Sequence, residues 1–182
     1  MFEWILIGIA VIILIMFIYY YNRLVSLSNQ IDNSLSQIDV QLKKRSDLVP
    51  NLLSSVKGYM KHEKSVITEV TNARKALLGA QSFESKVKAG NQLESALKSI
   101  FAIAENYPQL RASETFMQLQ QELTSIEDKI AYSRQFYNDG ILSYNNACTT
   151  FPGKIFASIY GRKEKQFLKI EAEERVVPKV SF

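Results

Sequence analysis

The stretch that decides the fold is Leu24–Val56, LVSLSNQIDNSLSQIDVQLKKRSDLVPNLLSSV. Its apolar residues return every seven positions: Leu24, Ile31, Ile38, Arg45 and Leu52 form one column, and Leu35, Leu42, Val49 and Val56 a second. A sustained seven-residue repeat is the pattern of an amphipathic helix packed against other helices with left-handed crossing. The phase carries on through Tyr59 and Val66 in one column and Val70 and Leu77 in the other. Because a turn would normally reset the phase, Pro50 reads as a kink inside a continuing helix. The expected helix covers about 22–78, with Gly79 as its C-terminal stop.

Upstream, no charged residue lies between Trp4 and Asn22, and Ile5 to Ile18 is almost purely aliphatic. That length matches the roughly 20 residues a membrane-crossing helix needs. Trp4 and Ile5 at one end, and Ile18 with Tyr19, Tyr20 and Tyr21 at the other, read as the membrane anchor, with its aromatics at both interfaces. A cleaved signal peptide fits poorly, since there is no basic start and no small-residue cleavage site after the tyrosines. No Lys or Arg precedes the span and Arg23 follows it. The charge bias therefore places the N-terminus outside and the bundle in the cytoplasm.

Downstream, Leu93, Leu97, Ile100, Phe101 and Ala104 define a second helix over about 83–106, closed by Tyr107 and Pro108. A third, about 114–150, repeats without a fault through Phe116, Leu123, Ile130, Tyr137, Tyr144 and Phe151, with Ser113 as N-cap. The chain thus divides into a transmembrane segment (1–22), a helical region (23–150) and a C-terminal part (151–182). In the last, Ile155, Phe156, Ile159 and Tyr160 suit a short helix capping the bundle, completed by Phe167, Ile170 and Val176–Val180, ahead of an extended tail. An interfacial membrane helix is the competing reading of the same stripe, because Lys154, Arg162, Lys163 and Lys165 lie close by. The fold class is all-α: an N-terminal transmembrane helix continuing into a long-helix, antiparallel, four-helix-type bundle.

Composition narrows the chemistry. One Cys and one His among 182 residues cannot build a Cys/His zinc cluster or an internal disulfide, so no metal and no cofactor is expected. A net charge of +4 and the short run Lys43, Lys44, Arg45 fall short of a nucleic-acid stripe. His62 has no recognisable nucleophile constellation beside it, and Cys148 reads as a small packed residue, which argues against a hydrolase.

Arg45 occupies an inward column, where a charge needs a partner. The spacing suggests a polar layer joining Arg45 or Asp47 to Glu127 and Arg134, with Gln120 ahead of them. The repeated pairs Tyr137–Asn138 and Tyr144–Asn145 place both tyrosines on the core seam and both asparagines beside it, where amides serve buried backbone more often than ligands.

A first helix of that length reaches about 85 Å and the second only about 35 Å, by the helical rise per residue. The membrane-proximal seam of Leu24, Ile31, Leu35, Ile38 and Leu42 therefore needs a cover, from the third helix or from another copy of the chain, and is expected to act as an oligomer stalk.

With Ile38–Arg45, Asp47–Leu52 (including Pro50 and Asn51), Val56–Tyr59, His62, Glu63, Glu127, Arg134, Tyr137, Asn138, Tyr144, Asn145, Phe151 and Pro152 in place, the chain closely resembles the LemA family over nearly its whole length. The resemblance implies a single-pass protein of the bacterial cell (inner) membrane with a helical bundle and no established catalytic activity. Some relatives take part in membrane organisation and others lie beside membrane protease genes. Expected partners are the lipid bilayer, further copies of the chain in a homo-oligomer, and a membrane protease or signalling protein; nucleic acid is not among them. Two functions are in play: a non-enzymatic scaffold that organises or remodels the membrane, and an adaptor or regulator that binds a membrane protein through its bundle.

Overall fold

The computed structural model describes residues 1–60 and 62–168, and no strand occurs among them. Six helices follow in order: α1 (Phe2–Lys57), α2 (Lys64–Gly79), α3 (Phe83–Ala104), α4 (Pro108–Arg111), α5 (Glu114–Thr149) and α6 (Gly153–Ile159). The described residues form two compact units, one of Met1–Ser34 with 134–168, the other within Leu35–Ser133.

The first helix passes through Pro50, as the unbroken phase requires, and the structure shows how. Proline has no N–H to give the carbonyl four residues back, here that of Ser46. Arg74, on α2, fills the gap by donating from Nε to the Ser46 carbonyl at 2.9 Å.

The helix ends at Lys57, however, and does not run on to 78. Gly58, a poor helix former, opens a turn in which the N–H groups of Tyr59 and Met60 both reach the Val56 carbonyl, at 3.0 and 2.9 Å. The turn shifts the pattern: Tyr59, expected in the inward column, is exposed, and Met60 is buried in its place. The apolar phase happens to resume on α2, which buries Val70, Ala73 and Leu77. The seven-residue spacing therefore hides a break between two separate helices.

A short link returns the chain to α3, whose N-terminus is held by a capping box between Ser82 and Ser85. Gly90 lets α3 approach α1 closely, since a Cβ there would stand 2.6 Å from Leu42 Cδ2. Pro108 at the first turn of α4 ends the preceding segment. Val49, Leu52, Leu93, Ile100, Leu110, Phe116 and Ile130 fill the core of this unit.

In the other unit, Leu24 and Ile31 of α1 pack with Ile141, Tyr144, Ala147 and Cys148 of α5 and Ala157 of α6. Gly140 brings α5 to within 3.1 Å of Ile31 Cγ1, measured from an added Cβ. The expected stalk is corrected here: Leu24, Ile31, Ile38 and Leu42 are buried within one chain and Leu35 is half-buried. The third amphipathic helix, α5, covers the seam at Leu24 and Ile31, and α3 meets it at Leu42. The third helix ends at Thr149, which leaves Phe151 out of its column and exposed. Ile170 and Val176–Val180, assigned to the cap, and the tail to Phe182 lie outside the described residues.

Candidate functional site

Two polar constellations stand out, one in each unit. The first surrounds Arg45, whose side chain is 1% exposed in the middle of α1. Its NH2 donates to Glu127 Oε2 on α5, and its NH1 donates to the Gly90 carbonyl on α3 at 3.3 Å and lies 3.9 Å from Glu94. Glu94 also pairs with Lys98 at 2.5 Å. One guanidinium therefore ties three helices together. A fixed planar fork with five donors suits that task better than an ammonium would. Nearby, Lys86 of α3 pairs with Asp39 of α1.

The structure sorts the expected layer. Arg45 and Glu127 meet, whereas Asp47 points outward and binds Lys43 at 2.8 Å, because it lies two positions from Arg45 and so faces another side of the helix. Gln120 is exposed, and Arg134 belongs to the other unit. Pro50, Asn51 and His62 are exposed and Glu63 is half-buried, just before α2. Glu94 and the Gly90 carbonyl were not legible in advance; a carbonyl freed by close approach at glycine leaves no sequence signal.

The second constellation is an asparagine ladder. Asn145 donates to the Lys165 carbonyl at 2.9 Å and accepts from the Lys165 N–H at 2.8 Å. Asn138 does the same with Leu168, at 3.4 and 3.0 Å. The geometry explains the spacing: seven helical residues rise about 10.5 Å, and three extended residues span about 10 Å. Two side-chain amides on one helix face thus mimic successive rungs of a strand and clamp the segment 162–168 along α5. Lys165 completes the fastening, with Nζ 3.0 Å from Ser28 Oγ and 5.2 Å from the centre of the Tyr144 ring.

Beneath the ladder, Tyr144 and Cys148 are buried. Burial pushes up the Cys148 thiol above its ordinary value, outweighing the Tyr144 hydrogen bond that lowers it; Glu164 adds to the rise and Arg162 opposes it. Burial likewise raises Tyr144, with Cys148 adding to the effect, and raises Tyr137, with Asp32 adding to it. A thiol kept protonated is a packing group and a poor nucleophile. No group of three or more His, Cys, Asp and Glu side chains able to hold a metal ion occurs among the described residues.

At the base of the same unit, α6 packs on the end of the apolar segment of α1. Phe156 stacks on Tyr20 with ring centres 4.9 Å apart and meets Phe17 edge-on at 5.4 Å. Tyr160 lies edge-on to Phe17 and Tyr21, and its hydroxyl donates to the Phe17 carbonyl at 2.6 Å. These are contacts between residues some 140 positions apart, beyond the reach of any periodicity argument.

An all-helical protein with a long apolar N-terminal helix, and with a buried arginine tying three of its helices together, is the class that these features define. The chain belongs to the LemA family, whose model matches residues 34–182. It is similar to the magnetosome protein MamQ of Magnetospirillum gryphiswaldense, 24% identical over 89% of this chain and 71% of that one. Protein LemA of Metamycoplasma hominis is 29% identical over 71% of this chain and 60% of its own length. Magnetosome protein MamQ 2 of Paramagnetospirillum magneticum is 23% identical, over 82% and 64%. The chain thus spans about 60 to 71% of the length of these relatives.

Proposed function

We propose that the chain is a non-enzymatic, membrane-anchored scaffold that self-associates and organises or remodels the bacterial cell membrane. The observation that carries the reading is α1 itself. One helix leads from an apolar segment long enough to cross a membrane into the packed helices without a break, and α6 braces it at the exit. The apolar segment is therefore built into the fold through the contacts of α6 with Phe17–Tyr21. Two relatives described as magnetosome proteins add support. With the stalk seam closed, the uncovered residues 2–15 of α1 are the surface left for self-association through the bilayer.

The proposed orientation has the N-terminus outside and the helices in the cytoplasm. Glu3 precedes the span and Arg23 follows it. The fold adds Lys154, Arg162 and Lys163 to the Arg23 end, because α6 packs on Phe17–Tyr21. Basic residues gather on the cytoplasmic side of bacterial spans.

Light scattering of the full-length protein in mild detergent tests the scaffold. A mass of several copies supports it. A monomer that co-purifies with a stoichiometric membrane protein would favour the adaptor, for which the groove between Lys44, Leu48, Glu122 and Ile126 is one surface on offer.

A further inference from the structure

We infer that α6 and its flanks form a second membrane contact, a foot lying in the headgroup–acyl boundary of an anionic bilayer beside the span. The inference rests on the proposed membrane anchor and adds a lipid-binding surface to it. Its first support is depth. Trp4 and Arg23 are nineteen residues apart, or about 28 Å along a helix, close to the roughly 30 Å of a bilayer's hydrocarbon core. Phe17 sits six residues before Arg23, about 9 Å down the helix axis, and Tyr20 about 4.5 Å. Tyr160 and Phe156 are fastened to those two residues. A span that occupies the bilayer therefore carries α6 into its boundary layer, at the 5–10 Å depth typical of interfacial helices.

The second support is the chemistry of the outer surface. Phe156 and Ala157 face inward, while Phe151 is 84%, Ile155 52% and Ile159 58% exposed. Ile155 and Ile159 lie one turn apart and so share a face of α6. Three large apolar side chains left in water at this level would be an unusual waste of surface, but each is suited to an acyl boundary. Lys154, Arg162 and Lys163 are exposed around them, with Glu164 the one acidic residue between Thr149 and Leu168. Apolar residues ringed by basic ones match anionic headgroups over acyl chains, and the surface is continuous with the lipid-facing span through Phe17 and Tyr20.

The experiment uses full-length protein in vesicles of phosphatidylcholine, alone or with about a third phosphatidylglycerol. In a Cys148→Ala background, Ile155→Cys, Ile159→Cys and Asp139→Cys carry a polarity-sensitive fluorophore; Asp139 is an exposed control on α5. Trp4, the sole tryptophan, reports insertion of the span through quenching by brominated lipid. The expected result is quenched Trp4, with the labels at 155 and 159 blue-shifted and quenched by headgroup-proximal more than mid-bilayer spin labels. Phosphatidylglycerol should strengthen that quenching, and the label at 139 should stay aqueous. Labels at 155 and 159 as aqueous as that at 139, with Trp4 still quenched, would overturn the foot and leave the anchor standing. Unquenched Trp4 would overturn both. Equal quenching in the two lipids would overturn the anionic preference.

Discussion

Removing Glu127 should cost more stability than removing Arg45, although the two form one pair. In Glu127→Gln the guanidinium remains charged and 1% exposed, and it loses its carboxylate partner on α5 while keeping the Gly90 carbonyl at 3.3 Å and the Glu94 carboxylate at 3.9 Å. Breaking a buried pair in this way costs about 3–5 kcal/mol, and the residual Glu94 contact puts the expected loss near the lower end, about 3 kcal/mol. In Arg45→Met the stem volume is kept. The stranded Glu127 side chain is 33% exposed and can rehydrate, and Glu94 keeps Lys98. The expected loss is about 1–2 kcal/mol. Arg45→Met with Glu127→Leu, which removes both charges, should return to within about 1 kcal/mol of the parent. A charge swap should not, because a carboxylate at position 45 would meet the Gly90 carbonyl and Glu94. Urea unfolding of the full-length variants in detergent, followed by far-UV circular dichroism, reads the cycle. Losses that simply add, or a costlier Arg45→Met, would refute the claim that Glu127 neutralises a charge with no route to water.

Arg74→Met should cost about 1–2 kcal/mol beside Pro50 and well under 1 kcal/mol in a Pro50→Ala background, where the returning N–H satisfies the Ser46 carbonyl; the same unfolding assay decides it. Asn145→Ala should release the segment 162–168, speeding amide exchange at Lys165 by about tenfold, or about 1.4 kcal/mol; unchanged exchange would refute the ladder. Stability should fall as pH rises above 9, because the fold favours the protonated Cys148 and tyrosines. The unfolded thiol ionises near its ordinary 9.0 while the folded one still holds its proton, so the loss grows until the folded value is passed. Cys148→Ala should remove the first part of that fall, and an identical alkaline slope in both proteins would count against it.

Much of the architecture is legible because helix periodicity is local. The apolar span, the column of α5 from Phe116 to Tyr144 and the helix's passage through Pro50 all follow from residue spacing. Arg45 betrays itself as a charge in an apolar column, and Glu127 is found by asking which carboxylate a neighbouring helix can bring. The break at Gly58 is hidden because α2 resumes in the same phase as α1, so spacing alone cannot tell one helix from two. Spacing likewise cannot choose between the third helix and a second copy as the cover of the Leu24–Leu42 seam, because both would present the same apolar face; in the structure α5 covers the membrane-proximal part. Those leucines and isoleucines are core, so making them polar should unfold the protein rather than separate copies of it. The partners of Asn138 and Asn145 lie on an extended segment with no periodicity to read, and the Phe17–Tyr160 contacts join the two ends of the chain.

The scaffold claim meets its most direct test in cryo-electron microscopy of vesicles carrying the full-length protein, compared with empty vesicles of the same lipid. The account predicts clustered copies at the bilayer and a change in vesicle curvature or contact. Isolated single copies on vesicles indistinguishable from empty ones would contradict it.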